Sequence, residues 1–571
     1  MAPKPSASIS KIIFSGGQEF SFAPKEKIII VGPNNSGKSQ TLREILRVAS
    51  EGESARPIVL KSLEIEKTGT PDDLKNYLEE NAEVVGQQYR YKNWGFYTGH
   101  TSMWKQPLLQ HNLAAGFMKN IDANNRLAIC NLQKSVADTE QRSSPQHLLY
   151  DSESLMKRIS GLFRQAFGQD LMINYRGGSV IPIHVGQLPS SDIGHPVSDL
   201  YVEAVKKNPP LHEQGDGVKS YAGILFEAVV SDIDITLIDE PEAFLHPPQM
   251  RRLGGTLASE VNGQLFVATH SSDILRGFLE GTKGSVRMLR IRREDNKNLV
   301  AEAAPDTVKE LWNTPILRYS NALEGVFHEQ AILCEDHSDC RLYNAMADHL
   351  SQTQDGHWLD TAYVPTGGKH AIPTIANVLR KIGVPTKAVF DIDLLRNQND
   401  LKKSVEAFGG NWAELAGIWN KVNAAVSSGI QVKSNQEIKD SIKQIIDDAD
   451  PEILPKSDIA EAMKQGSAWS LVKKVGPAGL PRGDARVSYE SLVQKLEEIG
   501  IYLVPVGEVE EFCPEMGVHG PKFVNKVLTE LDLADEKLES LRSFVSKFHS
   551  GPHAPLKNVV DEIEEPAREE L

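Results

Sequence analysis

The segment GPNNSGKS, from Gly32 to Ser39, follows the apolar run KIIIV and precedes a stretch in which Leu42, Ile45 and Leu46 recur at helical spacing. A glycine-rich loop set between a strand and a helix constrains the fold more than any other feature of this chain, because it requires a parallel α/β layer to hold it. Gly32 and Gly37 let backbone N–H groups turn inward around a polyphosphate, with Asn34, Asn35 and Ser36 completing the cradle. Lys38 can reach the outer phosphates and the Ser39 hydroxyl can ligate Mg²⁺, at a helix N-terminus whose dipole favours anions. The alternative is a glycine-rich turn that happens to carry Lys and Ser, and the strand and helix flanks argue against it. ATP with Mg²⁺ is the expected cofactor.

If this loop opens an ATPase, an acidic strand end must follow in the same domain. DIDITLIDEPEAFLHP supplies one: Ile235, Thr236, Leu237 and Ile238 suit a buried strand that ends in Asp239 and Glu240. Asp239 is placed to hold Mg²⁺ and Glu240 to orient the attacking water. GQLFVATHSSDIL repeats the design, with a strand from Leu265 to Ala268 delivering Thr269 and His270, the latter a candidate γ-phosphate sensor rather than a satisfied structural histidine. Upstream, EQGDGVKSYAGIL offers Gly215, Gly217 and Ser220 as a second phosphate-facing group, although GDG is also an ordinary turn before a helix. The long stretch between the loop and this motif implies an inserted lobe. Its aromatic segment WGFYTGHTSMW reads as core or interface.

The second half has a new βα rhythm. QAILCEDHSDC gives a strand ending at Glu335, with Asp339 in the helix that follows; either acid also suits a helix cap. A strand from Tyr363 to Pro365 leads to Thr366, Gly367, Gly368 and Lys369; KAVFDID ends in Asp391 and Asp393; IYLVPVGEVEEF ends in Glu508, Glu510 and Glu511. In an open parallel sheet the carboxyl ends of strands converge on one crevice, so these distant acids are expected to meet. Like charges packed that closely repel unless cations lie between them, which points to divalent metal. The alternation Asp391-x-Asp393 is expected to place both carboxylates on one side of an extended strand. Lys369 and Lys522 are candidates for steadying a phosphate. Between Asp393 and Glu508 runs a charged, helix-like insert broken at KKVGPAGLPRGD.

A chain of 571 residues with 40% hydrophobic content supports two or three domains. No apolar stretch approaches membrane-spanning length, and MAPKPSASISK lacks the apolar segment of a secretory signal, so a cytoplasmic protein with no membrane partner is expected. Cys130, Cys334, Cys340 and Cys513 show no CxxC spacing and read as reduced thiols. A net charge of −15 argues against a uniformly basic coat for nucleic acid, while leaving a local basic groove or metal on acidic residues open.

GPNNSGKS, LIDEPEAFLHP and VATHSSDIL, in this order, resemble the ATPase head of the ABC, SMC and RecF-like class. The resemblance implies head dimerisation, with Gly215, Gly217 and Ser220 covering ATP held by a second subunit. The four acidic segments that follow resemble the Toprim domain, and the combination is similar to the OLD (overcoming lysogenization defect) family. The expected fold is α/β throughout: an ABC/RecF-like domain over 1–325 with an insertion at about 55–200, a candidate dimerisation lobe, then a Toprim domain over 326–571 with a helical insertion at about 396–500. The resemblance implies a homodimer or higher homo-oligomer that binds ATP and cleaves DNA with Mg²⁺ or Mn²⁺, in anti-phage defence, in some cases beside a helicase or a retron. Glu335, Asp391 and Asp393 would be the principal metal ligands, with Asp339, Glu508 and Glu510 completing the shells. The pattern departs from the family at Asp336, where Gly usually follows the Glu, and in offering three acids at the last cluster. The competing reading is a repair or chromosome-maintenance ATPase whose Toprim module is not catalytic.

Overall fold

A computed structural model describes residues 4–552, apart from 93, 138–139, 191–194, 320, 356–357, 430–432, 450–453 and 465–467. The end of the expected second domain, 553–571, lies outside the described residues. The chain divides into two units between Thr314 and Pro315.

The first unit opens with β1 (Ser6–Phe14), β2 (Glu19–Ser21) and β3 (Lys27–Val31), followed by α1 (Lys38–Glu51), β4 (Leu60–Thr68) and β5 (Met118–Ile121). After helix α2 (Asp216–Ile224) come β6 (Ile235–Asp239), α3 (Pro247–Glu260), β7 (Gln264–Ala268), α4 (Ser272–Thr282), β8 (Arg287–Glu294) and β9 (Lys297–Glu302). Six strands form the main sheet in the order β9-β8-β3-β7-β6-β5. All neighbours run parallel except the β8–β9 pair, which closes one edge antiparallel. The near-continuous apolar runs of β3, β6 and β7 follow from this position, since a central parallel strand is covered on both faces. β1 pairs antiparallel with β2 and β4 in a separate three-stranded sheet.

The stretch expected as an inserted lobe is only partly separate. Its Met118–Ile121 strand is the edge of the main sheet, in register with Ile235 to Ile238, and its Leu60–Thr68 strand pairs with β1. The aromatic side chains Trp94, Phe96 and Trp104 of this stretch are buried in the hydrophobic core of the unit. A charged residue ties the stretch to α1 as well. The buried Glu44 accepts from the N–H groups of Ile58, Val59 and Leu60 at 2.9, 2.8 and 2.9 Å. Three N–H donors satisfy a carboxylate that burial would otherwise penalise.

The second unit is built on β10 (Gln330–Cys334), β11 (Thr361–Pro365), β12 (Thr386–Phe390) and β13 (Ile501–Leu503), in the order β11-β10-β12-β13 and parallel throughout. Helices α5 (His337–Thr353) and α6 (Ile372–Lys381) make the crossovers. Leu342, Tyr343 and Met346 of α5 pack with Phe544, Val545 and Phe548 near the end of the described chain. Between β12 and β13 the chain runs through helices that include α7 (Trp412–Gly429), α8 (Ala468–Val475) and α9 (Asp484–Glu498). No helix among the described residues is long and apolar enough to cross a membrane.

Leu237, fully buried in β6, tests the central position of that strand. Leu237→Ala is expected to cost about 2–5 kcal/mol and to lower the melting temperature of the first unit. A loss below about 0.5 kcal/mol, the range of surface substitutions, would count against this packing.

Candidate functional sites at strand ends

In the first unit, β3 ends at Val31 and the chain enters the loop with Gly32 at φ 139°, Asn35 at φ 59° and Gly37 at φ 101°. Gly32 has a second reason to be glycine, since a Cβ there would lie 2.1 Å from the Ile291 carbonyl oxygen. Asn298 Nδ2 donates to the Ser36 carbonyl at 2.6 Å and fixes the middle of the loop, while Asn34 and Asn35 are exposed. Lys38 is buried, its Nζ donating to the carbonyls of Gly32 and Pro33 at 2.7 Å each, and burial pulls its pKa down to about 8.

β6 and β7 bring their acidic and histidine ends to the same edge, with Asp239 in register with Ala268. Burial raises the Asp239 carboxyl, and a hydrogen bond from Ser39 opposes the rise. Glu240 is exposed, has a left-handed backbone at φ 48°, and lies 3.7 Å from His270 Nε2. Burial lowers the His270 pKa. Two residues that the sequence alone does not single out complete the geometry. Glu242 accepts from Thr269 Oγ1 at 2.9 Å and from the His270 N–H at 2.6 Å. Arg126, fully buried, donates to the carbonyls of Asp239 and Glu240 at 3.2 and 2.9 Å. Arg126 stands far from the motif in sequence, so only the fold could reveal it.

The residues fit a metal-bound nucleotide in one respect that the fold alone does not explain: Ser36 Oγ and Asp239 Oδ1 are buried without a hydrogen-bond partner. Gly215 and Gly217 lie at the start of α2, with Gly215 exposed and Gly217 against the Phe244 carbonyl. Ser220 is fully buried and donates to the Ala243 carbonyl at 3.2 Å, so its hydroxyl faces the interior of its own unit.

In the second unit the strand ends converge. Ligand atoms of Glu335, Asp391 and Asp393 all lie within 4.8 Å of one another, and Glu335 Oε1 accepts the Asp391 N–H at 3.2 Å. The expected strand alternation is corrected: β12 stops at Phe390, and Asp391 immediately precedes a short 3₁₀ turn, Ile392–Arg396, that contains Asp393. The turn forms because the Ile392 N–H is bonded to the Gly507 carbonyl rather than to a continuing ladder. Burial, then the charges of Asp391 and Asp393, push Glu335 up to about 7. Burial, then Asp391, push Asp339 up to about 7 as well.

Asp339 spends one oxygen on a helix cap, accepting the Asp336 N–H at 3.2 Å. A second group, Glu508, Glu510 and His519, also has ligand atoms within 4.8 Å; Asp339 and Glu511 belong to neither group among the described residues. No local pattern in the sequence marks His519. Lys369 Nζ is 2.8 Å from Asp393 Oδ1, whereas Lys522 is exposed at the start of the helix Pro521–Glu530. The insert contributes a residue that its sequence does not reveal: Lys473 Nζ lies 2.7 Å from Asp391, 3.7 Å from Glu508 and 3.9 Å from Asp393.

The family model described as "AAA domain, putative AbiEii toxin, Type IV TA system" matches residues 131–276, which include β6 and β7 but not the phosphate loop. The model described as "Overcoming lysogenization defect protein-like, TOPRIM domain" matches residues 326–393. No curated protein matches the chain. Among solved structures, an SMC head domain from Thermotoga maritima is 12% identical, covering 52% of this chain and 99% of its own, at a TM-score of 0.29. An SMC head with an extended coiled coil, bound to the C-terminal domain of ScpA and derived from Pyrococcus furiosus, is 11% identical, covering 54% and 98%, at a TM-score of 0.34. Likeness at these scores adds nothing to the geometry. Nucleotide and divalent-metal use are implied by the two domain types together. The chain thus joins a region that matches an AAA-type domain, 131–276, to one that matches an overcoming-lysogenization-defect-like TOPRIM domain, 326–393.

Proposed function

We propose that this chain is an ATP-regulated, divalent-metal-dependent DNA endonuclease, with an ATPase domain over 1–325 and a nuclease domain over 326–571. The observation that supports it best is the meeting, within 4.8 Å, of Glu335, which follows β10, with Asp391 and Asp393, which follow β12. Three carboxylates so placed suit Mg²⁺ or Mn²⁺ by hardness and charge. Bound divalent cations supply an activated water and stabilise the leaving oxygen in phosphodiester hydrolysis. Glu335, Asp391 and Asp393 would hold the cation, Glu508 and Glu510 with His519 offer a second position, and Lys369 orients Asp393. In the ATPase domain Lys38 and the loop N–H groups would hold the phosphates, Ser39 and Asp239 the Mg²⁺, and Glu240 the attacking water, with His270 beside it.

Homodimerisation through the ATPase heads, with Gly215 and Gly217 meeting the partner's nucleotide, belongs to this reading. The anti-phage role and a helicase or retron partner rest on the family resemblance alone.

Purified protein with plasmid DNA and Mg²⁺ or Mn²⁺ is expected to nick or cleave, and Asp391→Asn to lose about a hundredfold or more in rate, roughly 2.7 kcal/mol. Equal activity in both proteins would rule out this site; inertness of both on several DNAs would favour the non-catalytic Toprim reading. Glu240→Gln is expected to abolish ATP hydrolysis while retaining ATP binding, read by phosphate release and nucleotide titration.

A pH dependence follows from the raised carboxyls. Glu335 holds its proton to about pH 7 in the fold but only to about 4.5 in the unfolded chain, so the folded state binds more protons between those values. The cation-free protein is therefore expected to lose stability as pH rises from about 4.5 to about 7, and Mg²⁺ to restore it. Melting curves at about pH 5.5 and about pH 8 should show the larger Mg²⁺ gain at the higher pH; equal gains would contradict a carboxylate cation site.

A further inference from the structure

Lys473 is placed too firmly among the acids to be a stray surface lysine. Its helix, α8, is anchored by Trp469 and Val472, both buried, and Trp469 Nε1 donates to Asn423 Oδ1 of α7 at 2.8 Å. The end of that helix touches the turn before Glu508: a Cβ on Gly507 would lie 2.1 Å from the Lys473 carbonyl oxygen, and one on Gly476 would lie 2.6 Å from that of Val506. The Gly507 carbonyl in turn accepts the Ile392 N–H at 3.1 Å, beside Asp391. The backbone of Lys473 is thus fixed against the two segments that carry the acids. Its ammonium contacts Asp391, Glu508 and Asp393 at 2.7, 3.7 and 3.9 Å.

We propose that Lys473 is a tethered counter-ion that, by pairing with Asp391 and Asp393, competes with a divalent cation for the acidic site and must swing out when the metal binds. This rests on the reading of that site as a metal site. An ammonium and a divalent ion cannot share Asp391 Oδ2 without close like-charge contact, and the lysine stem is flexible where its backbone is not. Displacement is therefore a side-chain movement, and the helical insertion acquires a role: it sets the threshold of cation concentration at which the site fills.

The test uses full-length, nucleotide-free protein and Mn²⁺ as the probe, titrated by calorimetry and by the paramagnetic signal of free Mn²⁺. Lys473→Gln is expected to bind Mn²⁺ about tenfold more tightly than the parent, equivalent to about 1.4 kcal/mol. Lys473→Arg, which keeps the charge, is expected to stay near the parent. In the unmodified chain, amine labelling read by mass spectrometry should find Lys473 protected without Mn²⁺ and reactive with it, a readout that does not depend on a variant folding. Unchanged or weaker affinity in Lys473→Gln, or continued protection of Lys473 at saturating Mn²⁺, would overturn the proposal. Asp391→Asn separates the two levels: if it keeps the parent's Mn²⁺ binding, the metal-site reading fails, and if it loses binding while Lys473→Gln shows no gain, only the counter-ion role fails.

Discussion

Negative charge gathered at the carboxyl ends of parallel strands is the constraint on which both units turn. Two like unit charges about 4 Å apart repel by about 4 kcal/mol at an effective dielectric of about 20, against a total folding stability of about 5–15 kcal/mol. The fold answers with cations placed from elsewhere in the chain. Lys369 and Lys473 meet the acids of the second unit, and Arg126 braces the carbonyls at the end of β6 in the first. These are the local charges that any ligand must work with or displace.

In the ATPase domain the acidic residues divide their work by burial. Glu242 is consumed by internal hydrogen bonds that fix Thr269 and the His270 backbone, while Glu240 is left exposed on a left-handed backbone. A non-glycine residue held in that conformation costs about 1–3 kcal/mol, and such strain concentrates where a side chain has to be aimed. The sequence pair Asp-Glu thus conceals a third acid that holds the site in shape.

Much of this was legible in the linear chain. Glycine-rich loop chemistry and apolar runs that end in acids depend on local spacing, and the expected convergence of Glu335 with Asp391 and Asp393 needed only the general rule for strand ends in parallel sheets. What stayed hidden depends on contacts far apart in sequence. Lys473 sits at a Gly-Pro break in a charged insert, where nothing local separates it from Lys474. The strand Met118–Ile121 is too short to announce itself, and the turn at Asp391 forms only because Gly507 intercepts the Ile392 N–H.

Glu44 carries a mechanical consequence. It lies on the helix that begins at Lys38, directly after the phosphate loop, and it grips three successive N–H groups from Ile58 to Leu60. Breaking such a charged triple clasp in a dry interior is costly, so the helix and the start of β4 travel as one stiff body. A tilt of that helix would be handed through the clasp to β4 and so to the antiparallel sheet in which β4 pairs with β1.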